Sequence, residues 1–208
     1  LSNPNQRPAK QFPYPTWKGY PLKEKSILVY AEQGIGDEIM FSSCLTDLLK
    51  KSPKQCIVEC DSRLVPLFSR SFPEVIFCGK KQSDNETWLS EYPHIDCQVA
   101  IGSLPLHFRK KLINFPKNSG YLTPEHTQYQ MWKQRLNLLP NPVNIGISWR
   151  GGKSPKQQQQ RSISLTEWMP ILSCPNINFI NLQYGECDTE LTALSEQHNI
   201  TVYDWDDA

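Results

Sequence analysis

S-I-L-V-Y-A-E-Q-G-I-G-D-E-I-M-F, residues 26–41, is the stretch that decides the fold class. Its apolar run at residues 27–31 predicts a buried strand, because hydrophobic side chains follow one another without interruption. Apolar residues then recur with a helical period over residues 38–51 and predict a helix. A strand that passes through a glycine-containing turn into a helix is typical of an α/β fold with parallel strands.

The same alternation continues along the chain. Apolar runs at residues 56–60, 75–78 and 95–100 predict three more strands, and Asp61 or Ser62 is placed to cap a helix that reaches Phe68. Continuous apolar strands indicate a parallel sheet with helices on both faces. Residues 26–122 are therefore expected to form a Rossmann-like domain. The proline-rich residues 1–25 are expected to be an irregular lead-in, docked through Trp17 and Tyr20.

A second α/β pattern begins after a polar helical stretch. Residues 123–142 predict a linker helix, and residues 143–149, 177–182 and 201–203 predict strands. A capping box, S-x-x-E from Ser164, opens a helix, and residues 188–198 form another. The polar residues 150–162 between them are interpreted as a loop. The fold class is thus predicted as α/β with two Rossmann-like units, the second (143–208) holding only the first half of such a domain and therefore truncated.

Composition argues against several classes of function. Lys plus Arg number 22 against 21 Asp plus Glu, so no nucleic-acid partner is expected. Mean hydropathy is −0.52, and no apolar run is long enough to be a transmembrane segment. The start lacks the features of a signal peptide and is interpreted as an internal piece of a longer chain. Seven cysteines without C-x-x-C spacing indicate the reduced, buried thiols of a cytoplasmic protein, and the four histidines are too far apart in sequence to predict a metal site.

The first candidate loop holds Gln33, Gly34, Gly36 and Asp37, at the carboxyl end of the first strand. Glycines let a ligand approach the backbone, and the following helix N-terminus attracts anions. Ile39 stands where a dinucleotide fingerprint needs its third glycine, which disfavours an NAD-linked enzyme, although acids at the end of the second strand keep that alternative open. Asp37 is interpreted either as a helix N-cap or as a general base that deprotonates a sugar hydroxyl.

Two further loops are expected at the same kind of sheet edge, where open α/β sheets bind ligands. Ser103, in G-S-L-P, belongs either to a pocket wall or to a plain turn. After the strand at residues 143–149, small, hydroxyl and basic residues suit a diphosphate, with a solvated basic loop as the alternative. The two units are expected to face each other across a cleft, one with a carboxylate and the other with phosphate-binding groups. The candidate donor-binding residues of the second unit are Ser148, Trp149, Gly151, Arg161, Ser162 and Gln183.

Several motifs resemble a known family. W-K-G-Y-P-L-K-E-K-S-I-L-V-Y-A-E-Q-G-I-G-D, residues 17–37, is similar to the start of the glycosyltransferase-like region that follows tetratricopeptide repeats in many bacterial proteins. That region is related to the lipopolysaccharide heptosyltransferases of glycosyltransferase family nine, which have GT-B architecture. G-S-L-P, G-I-S-W-R-G, R-S-I-S-L and N-L-Q-Y-G follow in the family's order. Residues 23–25, K-E-K, lack the family's glycine.

The resemblance implies a metal-independent transferase that moves a hexose or heptose from a nucleotide-diphosphate sugar to a glycan, lipid or protein acceptor. It implies no cofactor, with the nucleotide sugar as co-substrate, and tetratricopeptide repeats upstream as a possible partner. The first domain would be the acceptor side, with Asp37 as base. The second would be the donor side, with Arg161 contacting phosphates and Ser148 as the strand-end hydroxyl. Because the family continues beyond these motifs, a non-catalytic binding module or inactive fragment is the alternative.

Overall fold

The computed structural model describes residues 12–80, 86–117, 120–152, 155–205 and 207. The chain divides into two compact units, Leu1–His126 and Thr127–Ala208, and each is built around its own parallel sheet. The predicted α/β class with parallel strands is confirmed. The elements of unit 1 are β1 (Ser26–Tyr30), α1 (Ile35–Ser42), α2 (Leu45–Leu49), β2 (Gln55–Cys60), α3 (Val65–Ser71), β3 (Ile76–Gly79), β4 (Cys97–Ala100) and α4 (Leu104–Phe108), with 3-10 turns at Ser62–Leu64, Glu86–Glu91, Ile101–Ser103 and Leu112–Asn114.

The sheet of unit 1 has the strand order β3-β2-β1-β4, with every pairing parallel. The chain moves outward from β1 to β3 and then returns to place β4 on the other side of β1. This order agrees with the first four strands of a doubly wound sheet, whose ligand crevice lies where the direction of winding reverses. That reversal falls between β1 and β4, so the loops after these two strands flank the expected crevice.

Both faces of this sheet are covered, which explains the continuous apolar runs. Ile27 and Val29 belong to the larger core on one face, together with Trp17 and Phe68. Leu28, between them in sequence, points to the other face. There it packs in a smaller core with Phe12, Ile57, Trp88 and Ile95.

The lead-in covers the edge of β4. Trp17 donates its backbone N–H to the carbonyl of Gln98 at 2.7 Å, and Gln98 donates its own N–H to the carbonyl of Pro15 at 2.9 Å. The side chain of Gln98 also donates to the carbonyls of Phe12 and Tyr14. Trp17 is only 1% exposed. The lead-in therefore occupies backbone groups that would otherwise form an open sheet edge, while its residues 1–11 lie outside the described part.

Unit 2 carries a parallel sheet of order β5-β6-β7, with Ile145 paired to Phe179 and Ile180 to Tyr203. The helix predicted as a linker over residues 123–142 spans His126–Asn137, and all of it except His126 belongs to unit 2. No helix among the described residues is long and apolar enough to cross a membrane. The elements are α5 (His126–Asn137), β5 (Val143–Ile147), α6 (Pro155–Arg161), α7 (Met169–Leu172), β6 (Ile177–Asn181), α8 (Asp188–His198) and β7 (Val202–Tyr203), with a 3-10 turn at Leu165–Trp168.

Two local predictions were wrong. The helix predicted over residues 38–51 is divided into α1 and α2 by a turn at Ser43 and Cys44. The polar stretch at residues 150–162 was interpreted as a loop, but it contains α6. This helix begins at Pro155, whose missing N–H is harmless at a first position, and the glutamines that follow are adequate helix formers. Because residues 156–161 are all exposed, no apolar period marks the helix in the sequence.

Candidate functional site

Asp37 lies in the first turn of α1, at the carboxyl end of β1. Gly34 is the N-cap residue, so Asp37 is the third residue of the helix rather than its cap. Its Oδ2 accepts the backbone N–H of Gly34 at 3.2 Å. Within the described part of the chain, its Oδ1 accepts no hydrogen bond, and the side chain is half-buried. One carboxylate oxygen thus closes the turn and the other is available to a substrate.

Glu38, the next residue, holds this turn in place. Its side chain is 2% exposed. Its Oε2 accepts a hydrogen bond from the backbone N–H of Asp61 at 2.7 Å, and its Oε1 accepts one from the ammonium group of Lys80 at 2.9 Å. Asp61 directly follows β2, and Lys80 directly follows β3. The first turn of α1 is therefore fixed to the ends of two neighbouring strands. The spacing indicates the burial of Glu38, which stands three residues after Ile35 on the inward stripe of the helix, but it does not indicate the two partners.

The loops after β1 and β4 meet at Gly102. A Cβ atom placed there would lie 2.8 Å from Oε1 of Glu32 and 3.2 Å from Nε2 of Gln33. The site residues Gln33 and Ser103 are therefore brought to the same sheet edge, together with Glu32, which the sequence did not single out. Gly36 differs, because a Cβ there would meet no atom within 4 Å.

A cavity of about 370 Å³ opens beside these loops. Tyr30 and Ala100, the last residues of β1 and β4, line it together with Ser103 and His107. The ring of His107 packs 4.6 Å from the ring of Trp17, centre to centre. Burial, and then the charge of Lys110, lower the pKa of His107, because both disfavour the imidazolium form. Thr16, Trp17 and Lys18 of the lead-in also line the cavity, whereas Gln33 and Asp37 do not, so it lies beside the lead-in and α4 rather than at Asp37.

In unit 2, Gln183 organises the loop after β5. Its Oε1 accepts hydrogen bonds from the hydroxyl of Ser148 at 3.2 Å, the N–H of Trp149 at 3.0 Å and the N–H of Arg150 at 2.7 Å. Its own N–H donates to the side chain of Asn181. The loops after β5 and β6 are thereby joined. The backbone N–H groups of Trp149 and Arg150, in the loop predicted to bind a diphosphate, therefore already have an acceptor.

Charged and small groups surround that loop. The guanidinium of Arg150 pairs with Glu190 at 3.2 Å, and Glu190 also accepts the indole N–H of Trp149 at 3.0 Å. The side chain of Arg150 is therefore paired with a residue of α8. Gly151 donates its N–H to the hydroxyl of Ser162 at 3.3 Å.

The basic group of this loop region that could still bind an anion lies at the end of α6. Arg161 is the last residue of this helix and is exposed. A Cβ on Gly151 would lie 3.6 Å from the carbonyl oxygen of Arg161, so the loop after β5 packs against this helix end. The structure therefore brings Gly151, Arg161 and Ser162 together. Ser148 and Trp149 are held to Gln183 at the same strand end. Lys153, which is also in this loop, lies outside the described residues.

One group of potential metal ligands is present among the described residues. Cys187, Asp188 and Asp204 place one ligand atom each within 4.8 Å of one another. The amide of Asn181 donates to the sulfur of Cys187 at 3.1 Å and to a carboxylate oxygen of Asp204 at 2.8 Å. A hydrogen-bond donor therefore already bridges these atoms, and an exposed acidic pair beside a thiol is not by itself a metal site.

Comparison with known proteins gives one informative relative. Over 205 residues the chain is 28% identical to Protein FlbA of Caulobacter vibrioides, which covers 94% of this chain and 34% of FlbA. The chain thus spans about a third of the length of this curated relative. No family model matches the sequence. No solved structure matches it either.

Proposed function

We propose that the chain is the catalytic region of a metal-independent glycosyltransferase of GT-B type. It would transfer a sugar from a nucleotide-diphosphate donor to an acceptor hydroxyl. The ordered motifs E-Q-G-I-G-D, G-I-S-W-R-G, R-S-I-S-L and N-L-Q-Y-G support the proposal. So does the strand order of unit 1, which places two of the candidate loops at one sheet edge.

The observation that carries the proposal is the pairing of Gly36 with Asp37. Gly36 lies inside α1 with no positive φ, and nothing would contact a Cβ there. Since alanine is the better helix former and would fit there, the described contacts give no structural reason for glycine at this second position of α1. Next to it, a half-buried carboxylate keeps one oxygen available. Room for a ligand beside a basic oxygen is what deprotonation of a bound hydroxyl requires.

In the proposed reaction, Asp37 takes the proton of the acceptor hydroxyl as that oxygen forms its bond to the anomeric carbon. The bond from the anomeric carbon to the phosphate oxygen breaks, and its electron pair leaves with the nucleoside diphosphate. Arg161 would balance the growing negative charge, assisted by the hydroxyls of Ser148 and Ser162. Unit 1 would supply the acceptor side and unit 2 the donor side.

An NAD-linked enzyme gains no support from this site. Ile39, at the third glycine position of a dinucleotide fingerprint, packs against the core of unit 1. At that position the motif needs a glycine, because the helix packs closely on the strand there and leaves no room for a side chain. We place the transferase in the cytoplasm because all seven cysteines are free thiols and five of them are buried. Tetratricopeptide repeats upstream remain a prediction.

The test compares two substitutions that leave the fold intact. Asp37→Asn keeps an oxygen for the N–H of Gly34 but removes the base. We expect turnover to fall by about 10²- to 10⁴-fold, with little change in nucleotide affinity. Gly36→Ala should raise the free energy of unfolding by about 0.5–1 kcal/mol and still lower activity.

Arg161→Ala is the matched variant on the donor side. It should weaken nucleoside-diphosphate binding without the selective loss of turnover expected for Asp37→Asn. If turnover is unchanged in Asp37→Asn and Gly36→Ala, the only role of Asp37 is to close the first turn of α1 by accepting the N–H of Gly34. The non-catalytic binding module would then be the better account.

A further inference from the structure

The strongest feature outside the proposed site is an exposed apolar turn in unit 1. Residues 111–117 are all exposed. Leu112 is 88% exposed, Ile113 86% and Phe115 53%. Single exposed apolar side chains are ordinary on protein surfaces, but large contiguous groups of them mark interaction sites. We call residues 110–117 the apolar turn.

Hydrogen bonds and an ion pair hold the backbone of the turn in place. Asn114 accepts the N–H of Lys111 through its side chain at 2.9 Å and donates its own N–H to the carbonyl of Lys111 at 2.9 Å. Arg109, whose side chain is 4% exposed, pairs with Asp47 on α2 and lies 5.7 Å from the ring of Phe115. Its guanidinium also donates to the carbonyl of Ser43 at 3.4 Å. The turn is therefore anchored to α2 and to the end of α1 while its apolar side chains face solvent.

The chain on both sides of the turn carries charges of one sign in sequence. Residues 97–124 contain no Asp or Glu, although the whole chain is nearly balanced at +1. Four basic residues fall in this stretch, and Asp47 neutralises Arg109. Lys110, Lys111 and Lys117 remain exposed on either side of the apolar residues. Apolar side chains flanked by lysines match the interface of an anionic bilayer, where acyl chains lie beneath negative headgroups.

We propose that the apolar turn docks the protein on an anionic membrane surface. Leu112, Ile113 and Phe115 would enter the headgroup boundary, and the flanking lysines would contact lipid phosphates. An acidic protein partner fits less well, because stable protein interfaces use about 20–30 residues a side, and this turn has eight. A bilayer needs only the inserted side chains and the local charge. The proposal goes beyond the transferase activity and does not depend on it.

The test is flotation of the full chain with lipid vesicles. One set contains phosphatidylcholine with phosphatidylglycerol, and the other contains phosphatidylcholine alone. The first variant is Leu112→Ser with Ile113→Ser, and the second is Lys110→Glu with Lys111→Glu. The matched controls are Leu138→Ser, at a side chain that is 86% exposed in unit 2, and Lys133→Glu with Lys156→Glu, at exposed helix positions. Thermal unfolding checks that every variant is folded.

We expect the chain to float with the anionic vesicles, and raised salt should weaken this binding, because the lysines act through screened charge. Each lysine near such a surface strengthens binding roughly fivefold. Both double variants at the turn should therefore bind more than tenfold more weakly, while both controls bind like the parent. Absence of flotation with anionic vesicles would overturn the proposal. Equal flotation with neutral vesicles, or unchanged flotation of the turn variants, would also overturn it.

Discussion

Replacing Glu38 by alanine is expected to destabilise unit 1 by about 4–6 kcal/mol, from two losses that the structure defines. The N–H of Asp61 loses its acceptor at 2.7 Å, and an unsatisfied, partly buried donor costs about 1–3 kcal/mol. The ion pair with Lys80 is also lost. Lys80 is 31% exposed and can turn to water, so this second loss lies at the low end of the about 3–5 kcal/mol for a broken buried pair.

The reverse substitution should be at least as costly. Lys80→Met leaves the carboxylate of Glu38, which is 2% exposed, without its cation. An uncompensated buried charge is more expensive than a lysine that can reach solvent. The double variant should then be more stable than the sum of the two single effects predicts, with a coupling free energy of about 1–3 kcal/mol.

Native-state hydrogen exchange with mass spectrometry is the appropriate assay, because the chain has two units and need not unfold in one step. Peptides from β1 and β2 should lose protection in Glu38→Ala, while peptides from β5 and β6 serve as an internal control. A loss below about 1 kcal/mol in unit 1, or strict additivity in the double variant, would refute the argument that Glu38 fixes the first turn of α1.

Three further outcomes follow from individual contacts. Gln183→Ala removes the acceptor of two backbone N–H groups and should cost about 1–3 kcal/mol, whereas Gln183→Glu keeps an acceptor and should cost less; equal costs in chemical denaturation would contradict this role. The lowered pKa of His107 means that the unfolded chain binds a proton first as the pH falls below about 6.5. Stability should therefore decrease from pH 7 toward pH 5, and His107→Phe should reduce that slope in thermal unfolding, so an unchanged slope would count against it. Cys174 is the one exposed thiol of the seven, and brief treatment with iodoacetamide should label it first; burial raises the pKa of Cys56 and Cys60 to about 12, so equal labelling at either would be inconsistent with the core.

The sequence predicted the parallel α/β class because the relevant signal is local. Ile27, Leu28 and Val29 are all apolar since both faces of β1 are covered, and that shows as an uninterrupted run. The helix over residues 188–198 was predicted for a similar reason and is observed as α8. The strand order β3-β2-β1-β4 has no such signal, because it depends on pairings between distant segments.

The sequence was uninformative where burial gives no pattern or where a partner distant in sequence satisfies a buried polar group. α6 is exposed along its length, so its glutamines carry no apolar period. The charged side chain of Glu38 can lie among the buried residues of α1 because it accepts hydrogen bonds from Lys80 and from the N–H of Asp61. Both partners are distant in sequence. In the same way, Gln98 fits inside an apolar strand because the carbonyls of the lead-in accept its amide protons.

For the candidate site, the sequence named the loops but not their contacts. It placed Asp37 at the helix start, yet the choice of Gly34 as N-cap depends on the backbone path of the turn. It listed Trp149 and Gln183 together as donor-binding residues, but not the hydrogen bonds by which the side chain of Gln183 accepts the backbone N–H groups of Trp149 and Arg150. Such side-chain to backbone contacts join separate strands and leave no periodic mark in the sequence.

The most direct test of the transferase account is thermal unfolding of the chain with UDP, GDP and ADP, their sugar conjugates, and NAD as a control. A ligand at about 100 times its dissociation constant stabilises the folded state by about 2.7 kcal/mol, which corresponds to a shift of several degrees. The account predicts a shift with one nucleoside diphosphate, lost in Arg161→Ala and retained in Asp37→Asn. No shift with any nucleoside diphosphate, or an equal shift with NAD, would contradict it.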